Sequence, residues 1–193
     1  MPNIRTNAPR GALVFDLRTL GRQAGSARER RLTVPAPDDL RLELARVPAG
    51  AAVELNLKFE AVTEGVLVTG SATAPLAGEC ARCLAALDTT VTAAITELYL
   101  YDGGTERDEE EHYLDGDLLD LEPAFRDAVV LALPMSPLCR EDCPGLCVEC
   151  GAPLADAGPG HTHEPAPDPR WAALKQFEDQ ATGRAGAVDL QEG

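Results

Sequence analysis

Six cysteines gathered into two clusters restrict what this chain of 193 residues can fold into more than any other feature. Cys80-x2-Cys83 stands in Gly-Glu-Cys-Ala-Arg-Cys-Leu, and Cys139-x3-Cys143-x3-Cys147-x2-Cys150 follows in Pro-Leu-Cys-Arg-Glu-Asp-Cys-Pro-Gly-Leu-Cys-Val-Glu-Cys-Gly. Thiolates two or three residues apart suit a tetrahedral Zn²⁺, because a tight turn brings both sulfurs to about 2.3 Å from one ion. His161 and His163 come shortly after. Six Cys and two His make eight ligands, enough for two closed, structural zinc sites.

The ligands divide in more than one way. Cys147-Val-Glu-Cys150-Gly151 has the form of a zinc knuckle, with a trailing glycine that accepts positive φ. His161-x-His163 stands at a ten-residue gap and can complete a zinc-ribbon-like module. That leaves Cys80, Cys83, Cys139 and Cys143 for a second ion, closing a 55-residue loop. Another partition places Cys139, Cys143, Cys147 and Cys150 on one ion, with Cys80 and Cys83 paired to the histidines or free. The plain alternative is six reduced cysteines without metal. Pro144, Gly145 and Gly151 weigh against it, since they surround the cluster with turn chemistry rather than core. His161 and His163 also read as residues of an ordinary linker. His112, in an acidic stretch, reads as solvent-exposed.

Aromatic residues make up only 4% of the chain, so the core has to come from Leu, Val and Ala. Formal net charge is −15 and uneven. Residues 1–46 hold nine Arg against five acids, whereas Asp102–Glu122 holds ten acids and one Arg. Such a surface repels nucleic acid broadly, because affinity for phosphates comes mostly from Lys and Arg that displace counterions. RNA contact is therefore expected to be limited, with Arg28, Arg30, Arg31, Arg41 and Arg46 as candidates; the same arginines also read as charges offsetting acids elsewhere. A protein partner fits the net charge better. No stretch approaches the roughly 18 apolar residues of a membrane span. The N-terminus lacks signal-peptide form. A cytoplasmic location without membrane contact is expected, and it favours metal over disulfides.

The fold class expected is α+β: mainly an antiparallel sheet or partly open barrel, followed by a helix and a small zinc-ribbon-like module. Leu40, Leu42 and Leu44 alternate with Arg41 and Glu43. Val53, Leu55, Leu57 and Phe59 alternate strictly with polar residues, which marks a half-buried strand. Glu64-Gly65 reads as a turn, Val66–Val68 as the returning strand, and Thr89–Tyr101 as one long strand. Cys80 and Cys83 then fall at a turn between strands. Pro123 suits the first turn of a helix with Phe125, Ala128, Val129 and Ala132 on one face, ended by Pro134 and Pro137. A last short helix is expected over Pro169–Phe177. The expected organisation is a disordered tail 1–10, a β-rich domain 11–135, a Cys/His module 136–178 and a disordered tail 179–193.

No phosphate-cradling glycine loop, H-E-x-x-H or G-x-S-x-G is present. The ligand count suits closed metal sites rather than a catalytic zinc with an open position. A non-catalytic protein is the first reading. The alternative is a thiol-based oxidoreductase using Cys80 and Cys83, with Arg82 lowering a thiolate pKa, or a zinc-dependent hydrolase.

Gly78–Leu84, the helix ending Asp127-Ala-Val-Val-Leu-Ala-Leu-Pro134, and Pro137–Gly151 together resemble the YceD family, the large ribosomal RNA subunit accumulation proteins. Phe15-Asp-Leu-Arg and Asp168-Pro-Arg-Trp-Ala-Ala-Leu174 add to the likeness, which runs from about residue 11 to 178. The resemblance implies a bacterial cytosolic factor without enzymatic activity. Its role would lie in 23S ribosomal RNA synthesis, processing or accumulation during large-subunit biogenesis, beside a ribosomal or ribosome-assembly protein. Many members carry C-x-C where this chain has His161-Thr162-His163, which favours the ribbon partition. Others lose the knuckle but keep a Cys/His pair where Cys139 and Cys143 stand, which groups those two with Cys80 and Cys83.

Overall fold

The alternation over Val53–Phe59 becomes an alternation of burial in the computed structural model, which describes residues 11–101, 111–158, 160–163 and 170. Both expected tails, the acidic stretch 102–110 and, but for Arg170, the helix expected over 169–177 lie outside the described residues. In chain order the elements are β1 (Val14–Asp16), β2 (Ala27–Pro35), β3 (Ala45–Arg46), β4 (Ala52–Ala61), β5 (Gly65–Glu79), β6 (Ala86–Leu100), β7 (His112–Tyr113), β8 (Leu118–Asp120), α1 (Glu122–Ala132) and α2 (Leu154–Ala157). The chain divides into two compact units, Met1–Leu146 and Cys147–Gly193. Cys139 and Cys143 belong to the unit that carries the sheet.

The main sheet of that unit has the order β2-β4-β5-β6-β7, with β3 beside the end of β5. It is antiparallel except for the short parallel pair β6–β7. It is also open: β2 and β7 are its ends. β5 and β6 form the longest pair, in register from Gly65↔Leu100 to Glu79↔Ala86. Their inward positions are small or aliphatic: Val66, Val68, Ala72, Ala74 and Leu76 on β5, with Val91, Ala93 and Ile95 on β6. Together with Val53, Leu55, Leu57 and Phe59 of β4 they make one apolar face. Each fully buried Val, Leu or Phe contributes about 1.5–3 kcal/mol relative to exposure.

Helix α1 closes this face. Pro123 sits in its first turn, and Asp120 accepts the Glu122 amide at 3.0 Å. Phe125 and Val129 are buried, with Ala128 and Ala132 packed beside them, as the period of 3.6 requires. Arg126 pairs with Glu122 one turn away and donates to the Asp38 carbonyl at 2.6 Å, which ties the helix to the loop before β3.

Two expectations fail. The Leu40–Leu44 alternation is not a strand of the sheet but a tight hairpin over residues 40–47. The Leu42 amide donates to Ala45 and the Val47 amide to Leu40, with Arg41 opposite Arg46. Period-2 burial survives there because both arms are short extended pieces; the reversal at Glu43-Leu44 carries no Gly or Asn to announce it. His112 is half-buried rather than exposed, its ring stacked on buried Tyr99 at 5.2 Å. β7 pairs with β6 and carries the imidazole onto the sheet.

Gly70 lies mid-strand in β5, opposite Leu57 and Ile95. A Cβ there would stand 2.0 Å from the Asn56 carbonyl oxygen. The close approach of β4 to β5 therefore needs a residue without a side chain. Gly70→Ala is expected to lower unfolding stability by about 1–3 kcal/mol, the range for overpacking, read as a lower urea midpoint. An unchanged midpoint would show that β4 can move away at no cost.

Candidate metal centres

The β5–β6 connection, residues 80–85, makes a turn with a specific backbone pattern. The Cys80 amide donates to Ala85 at 2.8 Å and the Leu84 amide returns to the Cys80 carbonyl at 2.9 Å. The same pattern recurs in the second unit: Cys147 donates to Ala152 at 2.8 Å and Gly151 to Cys147 at 2.8 Å. The fifth residue of each turn is left-handed, φ +59° at Leu84 and +72° at Gly151. A glycine takes that conformation freely, and leucine does so at a cost of roughly 1–2 kcal/mol. Leu84 has little packing to offset this, being 57% exposed.

Each turn presents two cysteines. In the first unit, the sulfurs of Cys80, Cys83, Cys139 and Cys143 all lie within 4.8 Å of one another. Cys80 and Cys143 stand 3.8 Å apart and Cys83 and Cys139 3.7 Å apart. The edge of a ZnS₄ tetrahedron with bonds of about 2.3 Å is about 3.8 Å. In the second unit, donor atoms of Cys147, Cys150, His161 and His163 form an equivalent group within 4.8 Å. Cys150 Sγ lies 3.5 Å from His161 Nε2, close to the roughly 3.5 Å of a mixed tetrahedral edge. The two Nε2 atoms are 2.9 Å apart, tighter than the roughly 3.3 Å such an ion would impose. All six cysteines are free thiols. Either set can hold a metal ion by geometry, and Cys₄ and Cys₂His₂ donor sets suit zinc.

Backbone amides and neighbouring thiols set the electrostatics of both groups. Amides of Cys139, Cys83 and Arg82 point at the Cys80 sulfur and hold its pKa down at about 6 against burial. Amides of Cys150 and Glu149, helped by His161, do the same for Cys147, also to about 6. Cys139 is pushed up to about 12, first by its contact with Cys143, then by burial and by Cys83 and Cys80. At Cys83 the Ala85 amide pulls down, but Cys80 and burial outweigh it and the pKa rises. One thiolate is thus favoured in the first group, and further ones repel it until a cation joins them.

Arg82 does not act as the sequence suggests. Its backbone amide, not its guanidinium, helps lower Cys80. The guanidinium donates to the Cys143 carbonyl at 3.0 Å and to the Glu141 carbonyl at 3.5 Å. The Ala81 amide donates to Pro137 at 2.8 Å. Gly145 lets the chain pass close by: a Cβ there would stand 3.2 Å from the Arg82 oxygen. Sequence reasoning missed this clamp, since nothing in Cys-Ala-Arg-Cys distinguishes an arginine aimed at carbonyls from one beside a thiolate. Of the candidate RNA-binding residues, Arg28, Arg30 and Arg31 lie exposed on β2, while Arg41 and Arg46 lie in the 40–47 hairpin.

The matched turns allow a paired test. Leu84→Gly should be neutral or stabilising by up to about 1 kcal/mol, because relief of the left-handed strain offsets the entropy of glycine. Gly151→Ala should lose about 1 kcal/mol locally. Denaturant melts of the first variant and limited proteolysis of the second read the two signs; equal signs would show that the turns are not equivalent.

A protein-family model described as large ribosomal RNA subunit accumulation protein YceD matches residues 68–178. The chain is 48% identical over 170 residues to an uncharacterized protein of Mycobacterium tuberculosis, covering 86% of this chain and 81% of that one. It is 43% identical over 167 residues to an uncharacterized protein of Mycobacterium leprae, covering 84% and 76%. No solved structure matches it. The matched span begins inside β5 and takes in both donor groups and α1. The chain belongs to the YceD family of large ribosomal RNA subunit accumulation proteins.

Proposed function

We propose that this protein is a non-catalytic, zinc-stabilised cytoplasmic factor that promotes 23S ribosomal RNA synthesis, processing or accumulation in large-subunit biogenesis. The observation that carries the metal part is the convergence of two sets of four Cys/His donor atoms, each within 4.8 Å. Family membership carries the ribosomal part. Cys80, Cys83, Cys139 and Cys143 hold one ion. Cys147, Cys150, His161 and His163 hold the other in a ribbon-like module. Four protein donors per ion leave no position for a substrate, which weighs against a zinc hydrolase. The Cys80 sulfur is fully buried, which weighs against thiol exchange there.

The net charge of −15 favours action through a protein partner, a ribosomal or ribosome-assembly protein with a basic surface. Direct RNA contact is limited and falls to Arg28, Arg30, Arg31, Arg41 and Arg46. No helix among the described residues is long and apolar enough to cross a membrane.

Elemental analysis of protein purified without chelator is expected to find about two zinc ions per chain. Cys83→Ser should release one ion and destabilise the sheet-bearing unit, since metal binding here is folding energy on the order of 10 kcal/mol. Cys150→Ser should release the other and leave the sheet intact. Release of both ions by Cys150→Ser with none lost from Cys83→Ser would assign the four downstream cysteines to one site. Deletion of the protein should lower mature large-subunit RNA relative to small-subunit RNA; unchanged subunit profiles would reject the accumulation role.

A further inference from the structure

The edge strand β2 carries Arg28, Arg30 and Arg31, and among the described residues none of the three has an ion pair, although the chain has acids in large excess. Register places Arg28 opposite Phe59 and Arg30 opposite Leu57, so both stand on the apolar face of the sheet at its margin. Between them and β1 runs a groove of about 380 Å³. Its floor is apolar, formed by Phe15, Leu17, Leu32 and Phe59, with the ring of half-buried Phe15 5.0 Å from that of Phe59. The acid in its wall, Asp16, is already taken by Arg18, whose Nε donates to both carboxylate oxygens. The groove thus has Arg28 and Arg30 on the same strand face as its aromatic and aliphatic recess, and Arg31, opposite Asn56 on the other face, lines it from the open edge of the strand.

We infer that this groove binds a short segment of single-stranded RNA. Arg28 and Arg30 take adjacent phosphates, Arg31 takes a third from the open edge of the strand, and an unstacked base lies on the floor against Phe15. The inference rests on the RNA-linked reading above and narrows its five arginines to three. Arg41 and Arg46 line a different cleft, of about 820 Å³, shared with Glu43 and Glu79. Arg41 is moreover paired with Asp39 at 3.5 Å. Charge there cancels, whereas charge on β2 does not.

Length and strandedness follow from physics. At physiological salt, charges more than about 8 Å away are largely screened, so three local arginines can outweigh the distant acids over a short contact. A long duplex would extend onto acidic surface. A duplex also keeps its bases stacked and has nothing to offer an apolar recess, while a single strand splays bases onto aromatic rings and guanidinium planes.

Fluorescence anisotropy on the full, metal-loaded chain tests this with a labelled oligouridylate of about ten nucleotides and an RNA duplex of equal length. The single strand should bind more tightly. Its log K should fall against log salt with a slope of about −2, for three phosphates at about 0.7 each. Changing Arg28, Arg30 and Arg31 together to Glu should weaken binding at least about tenfold, while changing all three to Lys should retain most of it. The pair Arg41→Glu and Arg46→Glu should change it by less than about twofold. Unchanged zinc content and melting midpoints confirm that the variants are folded. Duplex bound as tightly as single strand would overturn the inference. So would capture of an oligoglutamate peptide in place of RNA. Loss of affinity in the Arg41/Arg46 variant alone would reject the groove while keeping direct RNA contact. An absence of RNA binding even at low salt, with large-subunit RNA still falling in a deletion strain, would reject the groove and leave action through a protein partner.

Discussion

The turn at 80–85 meets the chain leaving α1 through hydrogen bonds that need no metal. Ala81 donates to Pro137, and Arg82 donates to the carbonyls of Glu141 and Cys143. This junction fixes the tip of the β5–β6 hairpin, the longest pair of the sheet, and the exit of the helix that covers it. More than fifty residues separate its two sides, so closing it carries a loop entropy that grows only slowly with length. The four sulfurs then converge because the backbone already holds the two loops together, and an ion bound there would add to a contact formed by the chain itself.

The second unit is arranged on a different basis. Among its described residues only Cys147 is buried, and the one α-helix among them is the four-residue α2. These described residues bury little apolar surface of their own. A metal held by Cys147, Cys150, His161 and His163 would therefore count for more among these residues than one in the first group, where a core already packs the chain. The same turn backbone serves both cases, with glycine in the left-handed position of one and a strained leucine in the other. The sheet-bearing unit, with its large core, can tolerate that strain.

Period-2 alternation made β4 readable from sequence, because one of its faces is buried and the register cannot slip by one residue; the Glu64-Gly65 turn announced the start of β5, and the Thr, Val, Ile and Tyr content of 89–101 announced most of β6. The helix was readable from Pro123, the spacing of Phe125 and Val129, and Pro134. The convergence of Cys80 and Cys83 with Cys139 and Cys143 was one of two partitions the cysteine spacing allowed, since spacing states which ligands are neighbours in a turn but not which turns meet. Three features had no sequence signal. The hairpin at 40–47 mimics a strand, because its alternation continues across the reversal. His112 follows an acidic run, and the pairing of β7 that carries its ring onto Tyr99 depends on a neighbour more than ten residues away. The role of Arg82 depends on carbonyls that reach it only once the fold is complete.

The outward edge of β2 has a consequence apart from any ligand. Nine residues long, it has no strand beside it on that side among the described residues. An open edge of this length is a template on which another copy could add a strand and begin a growing stack. Residues 28–31 read Arg-Glu-Arg-Arg, a net +2 on the strand, so a second β2 laid against the first would bring like charges together. An otherwise acidic protein thus keeps this edge positive, and like charge along it opposes the pairing of one β2 with another.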